Sequence, residues 1–190
     1  MPSRHDPARI AELQRIAILD SSPERAYDDI ARLLATTLAV PITMVNLLDE
    51  ERDWFKSCVG LQQTRSPQVT SFCEAFFHSE SDLIVVADTL ADLRFSAHPL
   101  VVGQPFVRFY AAARLKVRGE TVGTLCAYDM VPRQITPEQV EQMRTMAGAV
   151  IELLSQRAPP RLDHAGGAPG TLAPAVAAAA TSAKPSSMRR

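Results

Sequence analysis

Cysteine is scarce in this sequence, and what there is forms no recognisable pairs. Three occur in 190 residues, Cys58, Cys73 and Cys126; that is too few for a disulfide framework, and none sits in a C-x-x-C arrangement. A thiol-reduced, cytoplasmic protein is the expectation. No apolar run approaches the ~20 residues of a spanning helix. The opening MPSRHDPARI lacks the apolar centre of a signal peptide, so neither membrane insertion nor export is expected. An excess of one charge is missing too: 20 basic residues stand against 21 acidic ones, and the basic ones are scattered. Nucleic-acid and membrane surfaces need a concentrated positive face, so neither partner is expected. His5, His78, His98 and His164 do not make a metal constellation. No G-x-S-x-G, H-E-x-x-H, Walker or dinucleotide pattern is present, so no motif of that kind argues for an enzyme.

What is there fits one domain with its own core. After Gln156 the composition breaks into APPRLDHAGGAPGTLAPAVAAAATSAKPSSMRR, which has too little apolar surface to offset the entropy of ordering. The division is therefore a flexible start over 1–8, a folded domain over 9–157 and a disordered Ala/Pro/Gly/Ser-rich tail over 158–190. A short helix is predicted around Pro7–Ala17. A second follows, capped by Ser21 or Ser22 with Pro23 and Glu24 in its first turn; Tyr27, Ile30, Ala31, Leu34 and Leu38 make its apolar face, and Pro41 ends it. ITMVNLL (42–48) and DWFKSCV (53–59) read as a strand hairpin. Ser71 and Glu74 form a capping box for a short helix to about His78. LIVVAD (83–88) is a strand, and a structured connection follows it. Thr136-Pro137-Glu138-Gln139 starts a last helix, with Val140, Met143, Ala147, Val150, Ile151 and Leu154 along one stripe.

The stretch FVRFYAAARLKVRGETVGTLCAYD (106–129) alternates strictly. Val107, Phe109, Ala111, Ala113, Leu115 and Val117 fall on one face; Arg108, Tyr110, Ala112, Arg114 and Lys116 fall on the other. Arg118-Gly119-Glu120 turns it into a hairpin, with glycine supplying positive φ. Counting from that turn puts Cys126 with Leu115 and Ala113 on the apolar face, as a small buried hydrophobe. Cys73, in the first turn of its helix, is the thiol most favoured as thiolate and the one expected to react first; the alternative is a packed cysteine before Phe76 and Phe77. Arg108, Tyr110 and Arg114 could orient an anionic ligand, since a guanidinium binds carboxylate or phosphate at two points. Equally, the arginines could pair with Asp88, Asp92 or Asp129, and Asp88, Asp92 and Arg94 suit a structural lock on the connection. The fold class is α+β: a central antiparallel sheet with the terminal helices on one face.

Several blocks together resemble the GAF domain, in particular its bacterial signalling subgroup. They are ILDSSPE (18–24), SFCEAFF (71–77), VVADTLADLRFSAHPLV (85–101), RFYAAARL (108–115) and GTLCAYDMVPR (123–133). Against that subgroup's pattern, Ala112 replaces glycine, Arg114 replaces proline and His98 replaces asparagine. The resemblance implies a five- or six-stranded antiparallel sheet, terminal helices on one face, and a ligand pocket under connecting segments on the other. It places Phe72, Cys73, Phe76 and Phe95 at the pocket, together with Asp88, Asp92, Arg94, Arg108, Tyr110 and Arg114. It implies a sensor that binds a small molecule or reads redox state and signals to a partner, such as a histidine kinase or diguanylate cyclase. No kinase or cyclase motif follows Gln156, so a module acting in trans is expected, as a homodimer through its terminal helices. No particular cofactor is indicated, and Glu74 after Cys73 replaces the histidine of the chromophore-tethering pair. The competing expectations are a thiol-dependent methionine sulfoxide reductase of this family and a structural dimerisation domain.

Overall fold

The computed structural model describes residues 3–157; the tail expected over 158–190 lies outside the described residues. Helix α1 (Pro7–Ile16) starts at Asp6, whose carboxylate accepts the Ala8 N–H at 2.9 Å, with Pro7 in the first turn. Helix α2 (Arg25–Leu38) is preceded by Glu24 as its cap residue, not by either serine. The Ser21 hydroxyl is engaged elsewhere: it donates to the Ile18 carbonyl at 2.6 Å. Helix α4 (Pro137–Arg157) has the predicted reciprocal cap, Gln139 N–H to Thr136 Oγ1 at 3.2 Å and Thr136 N–H to Gln139 Oε1 at 2.9 Å.

Six strands form one antiparallel sheet: β1 (Ile42–Leu48), β2 (Arg52–Val59), β3 (Arg65–Pro67), β4 (Leu83–Val86), β5 (Phe109–Val117) and β6 (Glu120–Asp129), in the order β3-β2-β1-β6-β5-β4. The β5–β6 turn has Arg118 at φ 51° and Gly119 at φ 87°, the two left-handed residues that a tight hairpin needs to match the strands' twist. Helix α3 (Pro99–Val102) is a single turn in the connection between β4 and β5.

The alternation of β5 sorts its side chains to two cores. Phe109, Ala111, Ala113, Leu115 and Val117 meet Leu13, Tyr27, Leu34, Met143 and Val150 of α1, α2 and α4, with Trp54 of β2 on the same side. Short alanines on β5 let α4 lie close to the sheet. Removing a buried ring such as Phe109 from this layer costs about 3–5 kcal/mol by general experience of core truncation. Tyr110 and Ala112 face the other way, into a second apolar cluster with Phe72, Phe76, Phe95, Val101 and Tyr128.

Counting parity through the hairpin fails at one place. Leu115 pairs with Gly123 while Lys116 pairs with Thr121, so Val122 is an extra residue on β6. Beyond this bulge the faces exchange: Cys126 lies opposite Ala112, not with Leu115, and joins the second cluster. Gly123 is required here, because a Cβ would stand 2.2 Å from the Asn46 carbonyl oxygen on β1.

The flexible start expected over 1–8 is also corrected from Ser3 onward. Arg4 is buried and donates to the Asp53 carboxylate at 2.7 Å, to the Asp49 carbonyl at 2.6 Å and to Glu74. Arg9, fully buried, donates to the carbonyls of Arg4 and Leu48. Two guanidiniums thus satisfy carbonyls at the ends of β1 and its turn, which fastens the chain start to the sheet.

Candidate functional site

The face of the sheet away from the helices is covered by a seven-residue 3₁₀ helix, Phe72–His78, and by the connection from β4 to β5. Phe72 sits at the centre of an aromatic cluster, with ring centroids 5.3 Å from Phe95, 5.1 Å from Tyr110, 5.5 Å from Tyr128 and 4.1 Å from His98. These rings pack against one another in the cluster on this face of the sheet. A cavity of about 100 Å³ remains, walled by Met44, Phe55, Leu61, Leu100, Val107 and Tyr128, with the Asp53 carboxylate as its buried polar group. Sites for drug-sized ligands run to about 300–1,000 Å³, so this one suits a small molecule. On the far side of Phe72 lies a wider cleft of about 460 Å³ with Glu74, His78, Arg94 and His98 along it.

Behind the cavity runs a buried polar chain. Asp53 Oδ1 accepts from Arg4 at 2.7 Å, and its Oδ2 accepts from the Ser71 hydroxyl at 2.6 Å and from Asn46 Nδ2 at 2.9 Å. The same Asn46 nitrogen lies 3.5 Å from Cys73 Sγ. Tyr110 Oη donates to that sulfur at 3.5 Å, and Thr124 Oγ1 stands 3.1 Å from it. Thr124 Oγ1 also donates to Cys126 Sγ at 3.7 Å, and the Cys126 thiol donates to the Met44 carbonyl at 3.7 Å. Contact with Cys126, together with Thr124 and Tyr110, holds the Cys73 thiol below its usual range against the opposing effect of burial. Burial and the neighbouring Cys73 push Cys126 well up. Burial raises the phenols of Tyr110 and Tyr128 as well, so both remain neutral donors.

The sequence-predicted residues divide into two groups. Phe72, Cys73, Phe76, Phe95 and Tyr110 come together in the buried cluster. The charged ones do not. Arg108 lies just before β5 and donates to the Val101 and Val107 carbonyls at 3.0 Å. Arg114 donates to the carbonyls of Phe76, Ser79 and Ser81 at 3.0, 2.6 and 2.8 Å and lies over the Phe76 ring. Neither arginine lines the cavity. Their guanidiniums fasten the covering segments where backbone carbonyls need donors, which removes the basis for an anion clamp. Asp88 accepts the Leu90 N–H at 3.0 Å, and Asp92 pairs with Arg94 at 2.6 Å on an exposed turn. Asp129 pairs with Arg133 on β6's own end, not with either arginine.

Sequence reasoning missed Arg4, Asn46, Asp53, Thr124 and Cys126. Asn46 and Asp53 are polar residues inside strands with otherwise apolar faces, a signal that was open to reading; Thr124 and Cys126 were hidden by the bulge. The capping box on Ser71 does not form, because Ser71 donates to Asp53 and Glu74 pairs with Arg4. Among the described residues, no group of three His, Cys, Asp or Glu is placed to hold a metal ion, and no helix is long and apolar enough to cross a membrane.

The family model for the GAF domain matches residues 22–152. A cyclic di-GMP phosphodiesterase of Pseudomonas aeruginosa is 32% identical over 127 residues, which are 66% of this chain and 22% of that protein's length. The GAF domain from an Acinetobacter phosphoenolpyruvate-protein phosphotransferase superposes with a TM-score of 0.60 at 16% identity, over 83% of this chain and 99% of that one. The free methionine-R-sulfoxide reductase from Neisseria meningitidis superposes with a TM-score of 0.53 at 17% identity, over 77% of this chain and 89% of that one. With the six-stranded sheet, the helices on one face and the covered cavity on the other, the chain belongs to the GAF domain family, a family of sensory and signalling modules.

Proposed function

We propose that this chain is a non-catalytic sensory module whose state is set on the cavity side of the sheet and read by a signalling protein in trans, such as a histidine kinase or diguanylate cyclase. The observation that carries this reading is Asp53, which lines a mainly apolar cavity and whose buried carboxylate is held from behind by Arg4, Asn46 and Ser71. Desolvating such groups costs more than apolar packing would, so their placement argues for recognition in preference to stability. A few convergent polar atoms in an otherwise apolar cavity are what orients a small ligand. The similarity to one segment of a much longer phosphodiesterase supports a module that serves a separate output. A second copy pairing through the terminal helices belongs to the same reading.

Native mass spectrometry of the full chain tests it. The expected result is a retained small mass that is lost when Leu100→Trp fills the cavity. A bare protein mass, together with unchanged thermal midpoints across screened carboxylates, amino acids and nucleotides, would overturn the ligand reading. A thiol reductase is the second reading, favoured by the adjacent Cys73 and Cys126. Turnover of free methionine sulfoxide with a dithiol would establish it.

A further inference from the structure

We propose that Cys73 and Cys126 form a hydroperoxide-oxidisable dithiol, with Cys73 as the attacking sulfur and Cys126 as the resolving one. This rests on the sensory reading and specifies the signal as an oxidant. Both sulfurs are fully buried, on different elements, and linked through the Thr124 hydroxyl, which stands 3.1 Å from Cys73 Sγ and 3.7 Å from Cys126 Sγ. Structural cysteines in an apolar cluster have no use for polar partners, yet the Cys73 sulfur has donors from Asn46 and Tyr110 directed at it. Such donors stabilise charge on that sulfur.

A second observation points to an incoming group. Asn46 Oδ1 is buried and has no hydrogen-bond partner among the described residues. The amide orientation is fixed, because Nδ2 must face the Asp53 carboxylate at 2.9 Å. The free acceptor is therefore real, sits on the amide that touches Cys73, and can take the O–H of a hydroperoxide. Asp53 and Phe72 border the cavity, and Asp53 is hydrogen-bonded to the Asn46 amide that touches Cys73, so the cavity and the thiol are joined through one side chain.

The chemistry balances within the pair. The Cys73 sulfur attacks the distal peroxide oxygen; the S–O bond forms, the O–O bond breaks, and the leaving oxygen takes the thiol proton to give an alcohol or water. Cys126 sulfur then attacks Cys73, the S–S bond forms, and the sulfenic oxygen leaves as water with the second thiol proton. Two thiols are oxidised by two electrons and one peroxide is reduced; an added dithiol reverses the change by exchange.

Reduced full-length protein is treated with one equivalent of hydrogen peroxide, denatured, alkylated and mapped. The expected product has lost two hydrogens, carries a Cys73–Cys126 crosslink, leaves Cys58 free, and recovers both thiols with dithiothreitol. Cys126→Ser should stop one step earlier, with one oxygen added at Cys73 and captured by a sulfenic-acid reagent. Oxidation first at Cys58, or no change in wild type at peroxide levels that oxidise free cysteine, overturns the proposal. A protein that retains a ligand but forms no crosslink refutes this inference alone. A crosslink in a protein that retains nothing upholds it and refutes the ligand reading.

Discussion

The Arg4 guanidinium and the Asp53 carboxylate meet at 2.7 Å with side chains only 1% and 4% exposed, across 49 positions of sequence. Removing one partner leaves the other charge buried without its counter-ion. Arg4→Ala should therefore cost about 3–5 kcal/mol in urea denaturation. Adding Asp53→Asn should restore part of that loss, because the orphaned charge goes with it. Equal and additive losses for the two changes would show that the pair is uncoupled.

Arg114 acts on the covering segment, not on a ligand. Arg114→Ala strips donors from the carbonyls of Phe76, Ser79 and Ser81. Charged hydrogen bonds of this kind are worth about 1.5–3 kcal/mol each, with relaxation and water recovering some of the sum. The expected outcome is a lower denaturation midpoint and faster amide exchange over 76–82. Arg114→Lys should not rescue it, since one ammonium cannot reproduce the planar fork. Normal exchange in the alanine variant would refute the fastening role.

His98 should carry a pH dependence. Burial depresses its imidazole, and its Nδ1 accepts the Leu100 N–H at 3.2 Å, which requires the unprotonated ring. Two carboxylates lie along the same cleft or turn, Glu74 and Asp92, and they are held by Arg4 and Arg94. With the folded value below the unfolded one of about 6.5, the unfolded chain binds more protons below that pH. Stability from His98 is present above 6.5 and falls away as the pH drops through the lower folded value. His98→Asn keeps a cap acceptor and should flatten the stability curve as the pH falls below about 6.5. An unchanged slope would remove His98 as its source.

Thiol labelling by a bulky maleimide should follow exposure. Cys58 is half-buried, while Cys73 and Cys126 are enclosed, so Cys58 is labelled first in the folded protein. This reverses the order expected from the helix position of Cys73. Early modification of Cys73 would mean that the 72–78 segment opens readily.

Much of this architecture was legible in the sequence. The hairpins, the apolar face of β5 and the α4 cap were all readable, because each depends on period or on neighbours within four residues. What was not legible depends on contacts between distant segments. Arg4 carries no local mark of burial; its role exists only because Asp53 and Glu74 arrive beside it. Val122 and Gly123 flip the face of everything after them, yet the need for glycine comes from Asn46 on another strand. The partners of Arg108 and Arg114 were sought among ligands or Asp88, Asp92 and Asp129, whereas most are backbone carbonyls, which no side-chain pattern reveals.

Trp54 is the chain's one tryptophan, and it packs with the helix-side core, whereas Tyr110 and Tyr128 lie on the cavity side. The indole is thus confined to one layer, whereas of the three tyrosines Tyr27 shares that layer and the other two lie across the sheet. Indole fluorescence has no direct view of the thiols or the cavity, so a change in Trp54 emission on adding ligand or peroxide would record a disturbance that has crossed the sheet. In a Tyr27→Phe variant, whose remaining tyrosines both lie on the cavity side, tyrosine absorbance changing while Trp54 stays constant would mean that the event is felt on one side alone. One spectrometer can therefore separate detection of a stimulus from its transmission to the helices.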